Sequence, residues 1–112
     1  MDRNECNILV KEKKTKDDEG AEFELVPIDH GMAFPDNLSV CSFDLYWLSC
    51  SQAEQPFSRE SLEFIRDIDV MADIKLLESK FKFRPECLRN IRISTTLLKK
   101  GAAAGLTLAQ IG

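Results

Sequence analysis

Residues 2–10 read DRNECNILV, and residues 25–31 read LVPIDHG. How these two stretches meet decides the fold. Asp2, Arg3, Asn4, Glu5 and Asn7 come before the apolar run Ile8, Leu9 and Val10, which is the order of a polar loop feeding a short buried strand. The stretch that follows, KEKKTKDDEGAE over residues 11–22, is charged, carries Gly20 and reads as a solvated turn. Residues 23–28, FELVPI, return as a second strand, with Phe23 and Leu25 on one face and Glu24 and Val26 on the other. Pro27 cannot donate to a ladder, so this strand is short or lies at an edge. The expectation is a hairpin over about residues 8–28, with Asp29, His30 and Gly31 leaving it beside residues 2–7.

Downstream the pattern changes. Residues 32–56 hold two prolines and the aromatics Phe34, Phe43, Tyr46 and Trp47, which predicts a long loop with a short helical turn near residues 43–48. The aromatic run FDLYWL either packs under that loop or presents its exposed part to a lipid interface, and packing is the plainer reading. Helices come next. Ser58 is a good N-cap for RESLEFIRDI, where Leu62, Ile65 and Ile68 recur at helical spacing. Asp69 caps a second helix, with Val70, Ile74, Leu77 and Phe81 along one face. Pro85 suits the first turn of a third, whose stripe is Leu88, Ile91, Thr95 and Leu98. Lys99 and Lys100 suit its carbonyl end, Gly101 is the expected break, and GAAAG reads as a linker. Thr107 to Gln110, TLAQ, has the spacing of a capping box. The stripes by themselves mean core packing, and the class they define with the hairpin is α+β, with three or more helices.

Bulk properties narrow the function. At 112 residues the chain is one small domain or part of one. A hydrophobic content of 44% and a charged content of 30% describe an ordinary soluble protein. A net charge of −4, with no basic face, argues against a nucleic-acid partner. No apolar stretch approaches the roughly eighteen residues of a transmembrane segment, and the polar start does not fit a signal peptide. The four cysteines are widely spread and there is one histidine, so reduced thiols in the cytoplasm are a simpler reading than zinc or disulfides.

The residues fit for chemistry are Asp2, Asn7 and Asp29. If the strands pair, two carboxylates and an amide oxygen converge at the open end of the hairpin. Phosphoryl transfer from a nucleotide needs such a set: one aspartate for the acceptor hydroxyl, and two hard oxygens for magnesium on the phosphates. The spacing D-x-x-x-x-N is common by itself; joined to strand, turn, strand and Asp-x-Gly it becomes more specific.

At this point the sequence resembles a family. DRNECNILV followed by LVPIDHG is similar to the catalytic loop and metal-binding segment of the phosphatidylinositol 3- and 4-kinase superfamily. PFSRESLEFIRDID and RISTTLLKKG…GLT resemble the plant gamma-type phosphatidylinositol 4-kinases of the type II class. The resemblance covers residues 1–112 and implies the carboxyl-terminal lobe of a two-lobed kinase, with residues 32–56 as an activation-type loop. It implies Asp2 as the catalytic aspartate, Asn7 and Asp29 as ligands of magnesium on ATP, and transfer of the γ-phosphate to the inositol headgroup of a phosphatidylinositol lipid at a membrane surface. Arg3, His30 and Gly31 would support the site: Arg3 pairing with a carboxylate, His30 packing or bonding behind Asp29 in preference to acting as a base, and Gly31 permitting close approach. Two positions depart from the superfamily: Asn4 stands where His or Gly is usual, and Cys6 stands where a small Gly precedes the metal-binding Asn.

Between Asp29 and Ser58 there is no lysine or arginine, which fits an unphosphorylated inositol headgroup and fits a protein substrate equally well. Both ends read as cut. No Gly-rich phosphate loop is present, so an upper lobe or a partner protein is expected to supply it, and the chain alone is expected neither to bind ATP well nor to turn over. The alternatives are a non-catalytic pseudokinase or interaction fragment, and a Ser/Thr protein kinase.

Overall fold

The computed structural model describes residues 5–13, 22–31, 33–37 and 46–112. Its fold is α+β, as expected. A helical turn at Glu5–Asn7 leads into strand β1, Ile8–Lys13, which pairs antiparallel with β2, Glu22–Pro27. The register runs from Ile8 opposite Pro27 to Lys13 opposite Glu22. β1 therefore continues three residues past Val10, into the run expected to be turn. Ladder hydrogen bonds use backbone alone, and Lys11 stands opposite Glu24, an opposite-charge pair that favours the pairing.

The hairpin is not buried as expected. Val10, Phe23 and Leu25 share one face by alternation and register, and they are 65%, 62% and 66% exposed. Among the described residues the sheet has two strands, so β1 and β2 depend on local pairing and bury little.

Short helical turns at Tyr46–Ser49 and Ser51–Glu54 precede helix α1, Arg59–Asp67. The first overlaps the stretch expected to turn, residues 43–48, and runs one residue past it; residues 43–45 fall outside the described residues. Ser58 caps α1 by accepting the Ser61 amide at 3.1 Å. The helix stops at Asp67, one residue before the expected Ile68, because Asp69 already caps α2, Val70–Phe81, through the amides of Met71 and Ala72. The Ile68 carbonyl, left without a helical partner, accepts Lys99 Nζ at 2.6 Å.

Helix α3 spans Pro85–Ala103 and packs against both α1 and α2. Ile65, Cys87, Leu88 and Ala102 are buried in its neighbourhood, while Ile91, Thr95 and Leu98 are half-buried, so the predicted stripe faces inward. Phe81 is the exception on α2: it is mostly exposed, since Lys82 adopts a left-handed conformation (φ 54°) and turns the chain away.

Gly101 is not the break. It lies buried inside α3, where an added Cβ would fall 2.6 Å from Ile111 Cγ1. The helix ends instead at Ala104 and Gly105, whose φ is +78°. The Gly105 amide donates to the Ala102 carbonyl and the Leu106 amide to the Gly101 carbonyl, each at 3.0 Å, the paired bonds of a Schellman ending. GAAAG is thus the last turn and its cap. The chain reverses there, and α4, Leu108–Ile111, packs back onto α3 and the turn Ser51–Glu54. Gln110 closes its N-terminus as the TLAQ spacing predicts, its Oε1 accepting the Thr107 amide at 2.9 Å.

Candidate functional site

Pairing of the two strands fixes which residues meet at the hairpin's open end. One step beyond the Ile8–Pro27 pair, the Ile28 amide donates to the Asn7 carbonyl at 2.9 Å. Asn7, half-buried at the end of the first helical turn, therefore lies against the residue that precedes Asp29. The backbone bond sets Asn7 beside the residue preceding Asp29, two of the three residues expected to converge at this end being Asn7 and Asp29. Asp2 and Arg3 lie outside the described residues.

Asp29 is exposed and holds a left-handed backbone, φ 50°. For a residue with a Cβ this conformation costs on the order of 1–3 kcal/mol unless its surroundings dictate it. Part of that cost is offset locally: the Gly31 amide donates to Asp29 Oδ1 at 3.2 Å, the short-range bond that lets Asp tolerate this region. A Cβ at Gly31 would sit 3.3 Å from that same oxygen, so the absence of a side chain leaves the carboxylate its place. The Ala33 amide then donates to the His30 carbonyl at 2.9 Å and closes the next turn. His30 itself is exposed, so its ring does not pack in a core.

An amide oxygen and a carboxylate are hard donors. Among the described residues no group of three or more His, Cys, Asp or Glu gathers to cage a metal. Two protein oxygens suit magnesium, which takes one or two ligands from the protein and the rest from phosphates and water; they would not suit zinc. The donor set of Asn7 and Asp29 fits the expected ion.

Sequence reasoning missed what lies just beyond. Residues 33–37 are fastened to the junction of α2 and α3 by three contacts. The Phe34 and Phe83 rings meet edge to face, centroids 5.3 Å apart. Arg84 Nη2 pairs with Asp36 Oδ2 at 2.7 Å. Asn90 Nδ2 donates to the Pro35 carbonyl at 3.0 Å. Asn90 is 3% exposed, the one buried polar side chain among the described residues. Nothing in local spacing announces these pairs, which join positions 48 and 55 residues apart. The available hint was an Asn inside a helix, beside an apolar stripe, where its propensity is poor.

With this geometry in place, comparison with known proteins identifies the class. A family model described as phosphatidylinositol 3- and 4-kinase matches residues 1–111. The chain belongs to that family. It is 45% identical over 112 residues to phosphatidylinositol 4-kinase gamma 3 of Arabidopsis thaliana, an alignment covering 99% of this chain and 18% of the relative. Phosphatidylinositol 4-kinase gamma 4 of the same plant is also 45% identical, and its counterpart of that name in Oryza sativa subsp. japonica is 42% identical. These two alignments each cover 99% of the chain and 19% of the relative. The chain thus spans about a fifth of the length of the curated relatives it matches. No solved structure gives a significant match.

Proposed function

We propose that this chain forms the carboxyl-terminal part of a phosphatidylinositol 4-kinase catalytic domain, with ATP and a phosphatidylinositol lipid as its substrates. The observation that supports the reading is the backbone bond from the Ile28 amide to the Asn7 carbonyl, which sets Asn7 beside the residue that precedes Asp29 at the open end of the hairpin. In this reading Asp2 orients the inositol hydroxyl and receives its proton. Asn7 and Asp29 hold magnesium, which when bound neutralises charge on the nucleotide phosphates. Gly31 keeps the Asp29 carboxylate in position through its amide, and the segment between Asp29 and Ser58, free of lysine and arginine, accepts a headgroup that bears no further phosphates. The lipid would be met at a membrane surface from the cytoplasmic side; no described helix is long and apolar enough to cross a membrane.

The test is γ-phosphate transfer by the intact protein to phosphatidylinositol vesicles with magnesium and ATP. Asp2→Asn is expected to lower kcat by about 100- to 10,000-fold, the range for a lost general base. Asp29→Asn should cost about 100-fold or more, as loss of charge stabilisation does. Undiminished transfer by the Asp29 variant, or phosphate appearing in protein and never in lipid, would sink the proposal.

A further inference from the structure

We infer that Asn90, aided by Arg84, is a positioning residue that holds the Asp29 carboxylate in its metal-binding pose from the helical side of the molecule. The inference rests on the proposed role of Asp29 and extends it to residues that touch no substrate. Asp29 keeps a left-handed backbone whose cost its own bond to the Gly31 amide offsets only in part, and such conformations persist where the surrounding structure fixes them. On its amino-terminal side the fixing bond is the Ile28 amide to the Asn7 carbonyl. On its carboxyl-terminal side the local turns at Gly31 and Ala33 run directly into Phe34, Pro35 and Asp36, and each of these is gripped by the α2–α3 junction.

The three grips differ in strength. Arg84 and Asp36 form an exposed pair, worth little alone and useful mainly for register. The edge-to-face rings are partly open to water. Asn90 is different: a buried amide whose donor is spent on the Pro35 carbonyl, so removing it leaves that acceptor without its partner. Its place inside α3 ties the strained segment to the most extensively packed helix in the chain. The left-handed Lys82 makes this possible, since it turns the chain after α2 and brings Phe83 and Arg84 toward the segment.

The test is the affinity of the intact protein for Mn2+, a paramagnetic stand-in for magnesium, measured with a non-hydrolysable ATP analogue by electron paramagnetic resonance of the free ion. Melting temperature is recorded alongside. Asn90→Asp keeps the shape of the side chain and replaces the donor by an acceptor facing the Pro35 carbonyl. It should weaken Mn2+ binding roughly tenfold, the lower end for groups that orient a metal ligand from behind. Asp36→Arg, less disruptive because exposed, should weaken binding by a smaller factor, and the exchanged pair Asp36→Arg with Arg84→Asp should restore it. Loss of metal affinity in the single variants and its recovery in the exchanged pair, with the melting temperature unchanged throughout, is a result that a purely structural role would not produce. Unchanged Mn2+ affinity in both Asn90→Asp and Asp36→Arg, while Asp29→Asn abolishes it, overturns the positioning role alone. Full Mn2+ affinity in Asp29→Asn overturns the metal assignment, and the positioning role with it.

Discussion

The hairpin and the helical block satisfy their backbones by different means. β1 and β2 bond to each other and leave Val10, Phe23 and Leu25 open to solvent. The helices carry side-chain caps at Ser58 and Asp69, a proline start at Pro85 and a Schellman ending at Gly105, and they bury Ile65, Leu88 and Ala102 between them. The proposed chemistry sits at the end of the poorly buried half, and the stability resides in the other. That division is common where a rigid scaffold positions functional loops. It gives residues 33–37 their importance, because they carry the order of the helices to Asp29.

The sharpest way to break this contrast is to remove packing from the helical side. Leu88→Ala, at a buried position on α3, is expected to cost about 2–5 kcal/mol in chemical denaturation. A loss below about 1 kcal/mol would mean that α3 is not the core element described. Gly101→Ala comes next. A helix-interior Gly→Ala normally gains about 1 kcal/mol. Here the new methyl would lie 2.6 Å and 2.7 Å from Ile111 Cγ1 and Cδ1, and overpacking costs about 1–3 kcal/mol, so a net loss is expected. Ile111→Ala in the same background should make the double variant more stable than the two single effects predict; a rise in melting temperature for Gly101→Ala alone would show that α4 is not held against α3.

The hairpin should respond weakly to the same treatment. Leu25→Thr keeps a strand-forming side chain and removes apolar surface that is already exposed, so stability should change by no more than about 0.5 kcal/mol. A much larger loss would reveal that this face is covered in the folded protein. The smallest expected effect concerns pH. Arg66 holds the Asp67 carboxyl below its ordinary range, first through the hydrogen bond at 2.9 Å and then by its charge, with a lesser pull from Lys99. A depressed carboxylate contributes stability above its unfolded pKa and loses it as pH falls through the folded value. Both side chains are largely exposed, so the contribution is minor and screened by salt. Carboxyl titration followed by nuclear magnetic resonance should place Asp67 below the ordinary aspartate value, and Arg66→Ala should move it back up.

Much of this architecture was legible because it depends on near neighbours. Caps at Ser58 and Asp69 work over two or three residues, and the TLAQ box over three, so sequence spacing contains them. The meeting of Asn7 with the neighbour of Asp29 followed from strand alternation and from pairing across one turn. Two misreadings share a cause. Gly101 and Gly105 are equivalent as local helix stops, and only the return of α4 onto α3 decides that the first is a packing glycine and the second a turn. The charged Lys11–Lys13 segment looked like turn because side chains, not backbone, dominate the sequence signal. The grips of Asn90 and Arg84 on residues 33–37 were invisible for a stronger reason: they join parts of the chain with no shared periodicity.

The bond from Lys99 to the Ile68 carbonyl carries one more consequence. A helix ordinarily frays from its ends, each end independently. Here the carboxyl end of α1 is latched by a residue 31 positions further on, in the last turns of α3. α1 cannot unwind from that end until the latch is released, which ties its opening to that of the end of α3. Hydrogen exchange would then register residues 59–68 and 95–103 as one cooperative unit, drawn together by an ammonium that meets a backbone carbonyl.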